Sequence, residues 1–284
     1  MTAIYNQLSR PLDPAKAETL QRLYSVIGSM PVILLGAFAR DLIFSHIHGI
    51  EDVPRATMDI DTCVQMASWD DFNATCDNLI ALGFDNEEKE HPEKFTDTNG
   101  QEVDLLPFGG LSEDGKTVIW PTDNSPWTIS GIQEAHDHAI LVKLDWMELR
   151  VVPPCAMIYL KMFATRDRPG VRKKKDSADI HYVLKHYLTV TGANRIRSEG
   201  SDGDLMEKVG GHLQHATARL AGRDMRRIVQ QQTAEDLSEI LRFETESHSK
   251  CPIAHELARS QNGQFQTARN VLKALRAGFE ECRP

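Results

Sequence analysis

Apolar positions in the first part of the chain follow two different periods. Ala17, Leu20, Tyr24 and Ile27 are spaced for one face of a helix, which Asp13-Pro14 starts as N-cap and first-turn proline and Gly28 ends. Pro31-Val32-Ile33-Leu34-Leu35 is a short apolar run of strand character closed by Gly36, and residues 38–48 then read as a helix ended by Gly49. From Met58 onward the pattern alternates: Met58, Ile60, Thr62, Val64 and Met66 face one way, Asp59, Asp61, Cys63 and Gln65 the other. That strand carries two carboxylates on one face. A helix over residues 68–82 follows, with Ser68 and Asp71 in capping-box positions. Residues 94–98 and 101–106 flank Asn99-Gly100 as the arms of a tight hairpin, and the second arm carries Asp104. Residues 117–120, 139–144 and 149–152 are further strand candidates.

After Pro153-Pro154 nearly everything reads as helix, over residues 155–165, 176–187 and from 205 to the C-terminus. The expected architecture is α+β: a mixed sheet with flanking helices over residues 1–152, followed by an all-helical domain over 153–284. Residues 194–203, with Ser198, Gly200, Ser201 and Gly203, are the most loop-like internal segment.

Composition narrows the function classes. With 41% apolar and 26% charged residues over 284 positions, the chain is expected to fold around a buried core. Its 32 basic against 41 acidic residues, net charge −9, exclude a protein that coats nucleic acid by bulk positive charge. The charge is unevenly placed: residues 51–104 hold 15 acids and three bases, whereas residues 161–175 hold seven bases and one acid. Five cysteines without ligand spacing, no secretory pattern at Met1–Asn6 and no apolar run long enough to span a bilayer predict a reduced, cytoplasmic, membrane-free protein.

The candidate chemistry sits in the acidic part. Asp59-Ile60-Asp61 returns a carboxylate to the same strand face after about 6.5 Å, a spacing that can hold paired Mg²⁺ ions for phosphoryl transfer. Gly36-Ala37 follows an apolar strand and opens a helix, where backbone N–H groups can meet phosphate oxygens. Asp104 supplies a third acid between apolar neighbours, where an unneutralised carboxylate is costly. The same Asp-x-Asp spacing at Asp202-Gly203-Asp204 falls in the loop-like segment and is expected to do nothing. Arg219, Arg223, Arg226 and Arg227 read as a solvated helical face, with a second phosphate-facing surface as the alternative. The histidine pairs lack zinc-ligand spacing.

Strand, glycine turn, helix, Asp-x-Asp and a later strand Asp together resemble the polymerase-β-type nucleotidyltransferase superfamily. Gly36-Ala37-Phe38-Ala39-Arg40-Asp41 and Arg55-Ala56-Thr57-Met58-Asp59-Ile60-Asp61 are particularly similar to the AbiEii/AbiGii-type toxins of type IV toxin–antitoxin and abortive-infection systems. Leu160-Lys161 and Lys175-Asp176-Ser177-Ala178-Asp179 resemble further elements of that family. The resemblance implies two Mg²⁺ ions on Asp59, Asp61 and Asp104, and Asp104 helping to activate the attacking hydroxyl. It implies an NTP co-substrate met by Gly36, Ala37 and Arg40, with Lys161 and Lys175 on phosphates and Asp176 or Asp179 orienting them. An RNA acceptor such as tRNA and a separate antitoxin would be the partners. Ala37 stands where many members carry Ser or Gly, so no hydroxyl is offered there, and the interval from Gly36 to Asp59 is longer than usual, making residues 46–55 an insertion. Gly36 to Asp41 is also similar to the start of CCA-adding enzymes and bacterial poly(A) polymerases, but their Arg-Arg-Asp-Phe-type element is absent. The alternatives are transfer to a small molecule or protein side chain, and a non-catalytic nucleotide- or RNA-binding module.

Overall fold

Residues 3–52, 59–86, 91–167, 171–246, 251–260 and 263–282 are described by a computed structural model, in which the chain divides into two units, Met1–Pro153 and Pro154–Pro284. In the first unit, β1 (Ile4–Tyr5) precedes α1 (Pro14–Ile27), where the Asp13 carboxylate accepts from the N–H groups of Ala15 and Lys16. Thr19, Leu20, Leu23 and Ile27 form its buried stripe. β2 (Val32–Leu34) is buried along its length and leads into α2 (Gly36–Asp41). The helix then widens into a π-turn over Leu42–Ile47, so the single helix expected over 38–48 has two windings. The wider turn is fastened from outside: Ser9 Oγ donates to the Ile47 carbonyl at 2.6 Å and the Arg10 N–H to that of His46 at 3.0 Å.

The unit continues through β3 (Asp59–Met66), α3 (Trp69–Ala81), β4 (Lys94–Thr96), β5 (Glu102–Gly109), β6 (Thr117–Ile119), β7 (Pro126–Thr128), α4 (Ile132–Asp137), β8 (Ile140–Leu144) and β9 (Met147–Val151). Ser68 caps α3 by accepting from the Asp71 N–H at 3.2 Å. A seven-stranded mixed sheet runs in the order β1-β8-β9-β2-β3-β5-β4, and β6 pairs with β7 separately. β2 lies antiparallel to β3 and parallel to β9, while β3 lies parallel to β5. Central placement explains why β2 reads as an unbroken apolar run.

The β4–β5 hairpin departs from expectation by one residue. Lys94 pairs with Asp104, Phe95 with Val103 and Thr96 with Glu102. The connection is therefore the three-residue loop Thr98-Asn99-Gly100, with Gly100 at φ 75°, instead of a two-residue Asn99-Gly100 turn. Asp97 decides this. Its Oδ1 accepts from the N–H groups of Asn99 at 2.8 Å and Gln101 at 2.9 Å, and Thr19 Oγ1 on α1 donates to its Oδ2. A one-residue slip turns a strand over, so this register buries Phe95 and sets Lys94 beside Asp104.

The second unit is a C-terminal helical region: α5 (Pro154–Asp167), α6 (Val171–Thr191), a 3₁₀ turn at Ala193–Ile196, α7 (Leu205–Lys208), α8 (Leu213–Ile228), α9 (Gln231–Glu246), α10 (Pro252–Ser260) and α11 (Phe265–Glu281). α8 and α11 meet backbone to backbone, since a Cβ on Gly222 would overlap the Leu275 carbonyl and one on Gly278 that of Arg219. Among the described residues no helix is long and apolar enough to cross a membrane.

Candidate functional site

Two adjacent parallel strands gather the three acids of the first unit. β3 and β5 run in register with Asp59 opposite Glu102 and Asp61 opposite Asp104, so all four side chains leave the same face. Thr62 Oγ1 donates to the Asp104 carbonyl at 3.0 Å, fastening the two strands beside the pair. On the other flank, the Leu35 N–H donates to the Asp61 carbonyl at 2.9 Å. The chain then turns at Gly36, φ 66°, directly against the Asp61 carboxylate.

Crowding of negative charge sets the electrostatics. Burial pushes the Asp104 carboxyl up, and the charges of Asp61, Asp59 and Glu93 push it further, to about 7, with Lys94 partly offsetting them. Lys94 and Glu93 are site residues that the sequence reading missed. Their signal was the hairpin register, which the Asn99-Gly100 pattern misplaced by one.

Carboxylate oxygens on neighbouring strands are the right donors for a hard divalent cation, and the raised Asp104 marks negative charge that a cation would neutralise. The side chains as placed do not converge fully: among the described residues no group of three or more His, Cys, Asp or Glu is gathered in a metal-holding arrangement.

Behind the turn, Ala37 and Arg40 are both buried on α2. The Arg40 guanidinium is turned to its neighbour, Nε donating to Asp41 Oδ1 at 2.8 Å and the terminal nitrogen lying 2.7 Å from the same oxygen. Burial pushes the Asp41 carboxyl up, against the pull of Arg40, Lys16 and His46. The Arg40 side chain is thus buried and the Asp41 carboxylate part-buried beside it. Arg55, Ala56, Thr57 and Met58 of the motif, together with Arg168, lie outside the described residues, as do the side chains of Arg172, Lys173 and Lys174.

In the second unit, Lys161, Asp176 and Asp179 come together. Lys161 Nζ on α5 lies 2.9 Å from Asp176 Oδ1 and 3.1 Å from Asp179 Oδ2, both on α6. Burial lowers the pKa of this ammonium, but Asp179 and Asp176 outweigh it and hold the lysine above its ordinary value. Lys175 is exposed on the same helix.

Of the α8 arginines expected to be solvated, Arg223 and Arg226 are buried and Arg219 is half-buried, while Arg227 is exposed but ion-paired. Asp202, fully buried, accepts from Arg195, Arg223, Arg227 and Ser201. Arg223 also binds Asp204 and, at 2.6 Å, Glu281, which Arg219 meets at 2.7 Å. Arg226 is buried, its donors on the Val229 carbonyl and Gln231. Asp202-Gly203-Asp204, expected to be idle, is the anionic centre of this network.

No family model and no curated protein matches the chain. Among solved structures, a solution structure of the antibiotic-resistance factor ANT(2'')-Ia aligns over 71% of this chain and 100% of its own, at 13% identity and a TM-score of 0.36. A likeness that low carries no argument about family or chemistry. The site has to be read from its own residues.

Proposed function

We propose that this chain is a nucleotidyltransferase that moves a nucleoside monophosphate from an NTP to a hydroxyl acceptor. The observation that carries the reading is the facing of Asp61 and Asp104 across two parallel strands, with Asp59 on the same face and a glycine turn against Asp61. In this reading the acceptor oxygen attacks the α-phosphorus, the bond to the bridging oxygen breaks, and pyrophosphate leaves with the electron pair. Asp104, on the same face, takes the hydroxyl proton as general base. Asp59, Asp61 and Asp104 would hold Mg²⁺, which supplies charge neutralisation at the transferring phosphoryl group. Gly36 lets the turn lie directly against Asp61, where its backbone would approach a triphosphate, and the paired Arg40 and Asp41 lie on the helix that carries Gly36 and Ala37. Lys175, exposed on α6, would meet phosphate; Lys161 acts as a positioning residue that fixes α5 to α6 through Asp176 and Asp179.

The resemblance to AbiEii/AbiGii-type toxins favours an RNA acceptor such as tRNA and a growth-arresting role with a cognate antitoxin. A second reading, transfer to a small molecule, is favoured by the pairing of Arg219 and Arg223 with Glu281, Asp202 and Asp204, which occupies those cations within the protein. Incubation with each α-labelled NTP, Mg²⁺ and either tRNA, small hydroxyl compounds or protein alone tests both. Label transfer by the native chain and its loss in Asp104→Asn are expected. NTP binding without transfer to any acceptor would leave only a nucleotide-binding module.

A further inference from the structure

The helical unit holds a small cleft where the C-terminal ends of α8 and α11 meet the start of α9. Arg226 lines it from the last turn of α8, Gln231, Ala234 and Glu235 from α9, and Phe279 and Glu280 from α11, around a volume of about 250 Å³. That is just below the roughly 300–1,000 Å³ of drug-sized pockets and suits a small solute.

Arg226 sets the chemistry. It is 9% exposed and meets no carboxylate among the described residues, whereas Arg219, Arg223 and Arg227 of the same helix each meet at least one. Both of its contacts are to neutral acceptors and are long: Nη1 donates to the Val229 carbonyl at 3.3 Å and Nη2 to Gln231 Oε1 at 3.2 Å. A buried guanidinium without a counter-ion is costly, and one that lines a cleft can take an anion from solution.

The complementary charge lies one amide group away. The Gln231 side chain that accepts from Arg226 donates through Nε2 to Glu235 Oε1 at 2.8 Å, and Glu235, exposed on the same cleft, meets no basic side chain among the described residues. Glu280 differs, since Arg276 Nε lies 2.6 Å from its Oε1. A cation and an anion, both unanswered, thus line one cleft with a single amide between them. The ligand complementary to that pair carries both charges close together, and an α-amino acid carries its carboxylate and ammonium on one carbon. Ala234 and Phe279 are the apolar part of the lining that its side chain would meet.

We infer that this cleft binds a small neutral α-amino acid, its carboxylate on Arg226 and its ammonium on Glu235. The site lies wholly in the second unit and does not rest on nucleotidyl transfer.

NMR titration of ¹⁵N-labelled full-length protein with glycine, L-alanine, L-serine and L-valine tests this. Saturable shifts of the Gln231, Glu235 and Glu280 amides are expected with at least one of the four. The tightest binder is then compared with the acid that lacks its ammonium and the amine that lacks its carboxylate; for L-alanine these are propionate and ethylamine. The acid should bind about threefold more weakly, because Glu235 is exposed and screened, and the amine about tenfold or more. Glu235→Gln should erase the advantage over the acid, and Arg226→Gln the advantage over the amine. If Arg226→Gln does not fold, the native chain and Glu235→Gln decide the matter between them. Absence of saturable shifts with all four, an acid that binds the native chain as tightly as its amino acid, or an unchanged preference in Glu235→Gln would each overturn the assignment.

Discussion

Gly36 and Asp61 compete for one volume: Gly36 holds φ 66°, and a Cβ built on it would overlap Asp61 Oδ2. Gly36→Ala is expected to combine left-handed strain with displacement of the carboxylate, a loss of about 1–3 kcal/mol. Urea unfolding measures it. In a double-mutant cycle, Asp61→Ala should recover the steric part and leave the backbone part; strictly additive costs would show that the two residues do not press on each other.

Asp104 makes the metal-free protein sensitive to pH. Its folded pKa, about 7, lies above the ordinary 3.8. Its contribution is thus fully present below 3.8 and is lost as pH rises through 7. The loss is on the order of 1–4 kcal/mol, with solvent screening favouring the lower end. Scanning calorimetry in EDTA should show Tm falling from pH 5 to pH 8 in the native chain and a flatter profile in Asp104→Asn. Parallel profiles would remove Asp104 as the cause. On the proposed function, Mg²⁺ should raise Tm at pH 8 in the native chain more than in the variant.

Asp202→Asn is expected to cost about 3 kcal/mol, because it removes the buried anion shared by Arg195, Arg223 and Arg227. Asp204→Asn, at a position 46% exposed, should cost under about 1 kcal/mol. Denaturant midpoints compare them, and equal small losses would contradict a network centred on Asp202. Burial pushes the Glu281 carboxyl up, but Arg219, Arg223 and Lys208 overcome this and hold it at about 2. Its stabilisation is present above 4.5 and disappears as pH falls toward 2.

Lys161→Met leaves Asp176 and Asp179, both buried, without the ammonium between them, and should cost about 3–5 kcal/mol. Adding Asp176→Asn and Asp179→Asn should recover most of that loss. A Lys161→Met protein that melts like the native chain but no longer transfers label would assign the ammonium to phosphate contact instead of helix positioning.

The helical period and caps of α1 and α3, the apolar run of β2 and the alternation of β3 were legible because each depends on residues a few positions apart. Asp13 and Ser68 needed only their own helix N-termini to act as caps. The carboxylate face of β3 followed from a period of two. The acids of the candidate site could be named for the same reason, while Lys94 could not, since its place beside Asp104 depends on a hairpin register.

That register, and the fate of the charged side chains, came only with the tertiary structure. Thr19 reaches Asp97 across 78 positions and helps select a three-residue loop; Arg223 reaches Glu281 across 58 and ties α8 to α11 by an ion pair. Periodicity and capping are local, and the chain spells them out. Which carboxylate meets which guanidinium is set by long-range packing that no local pattern encodes.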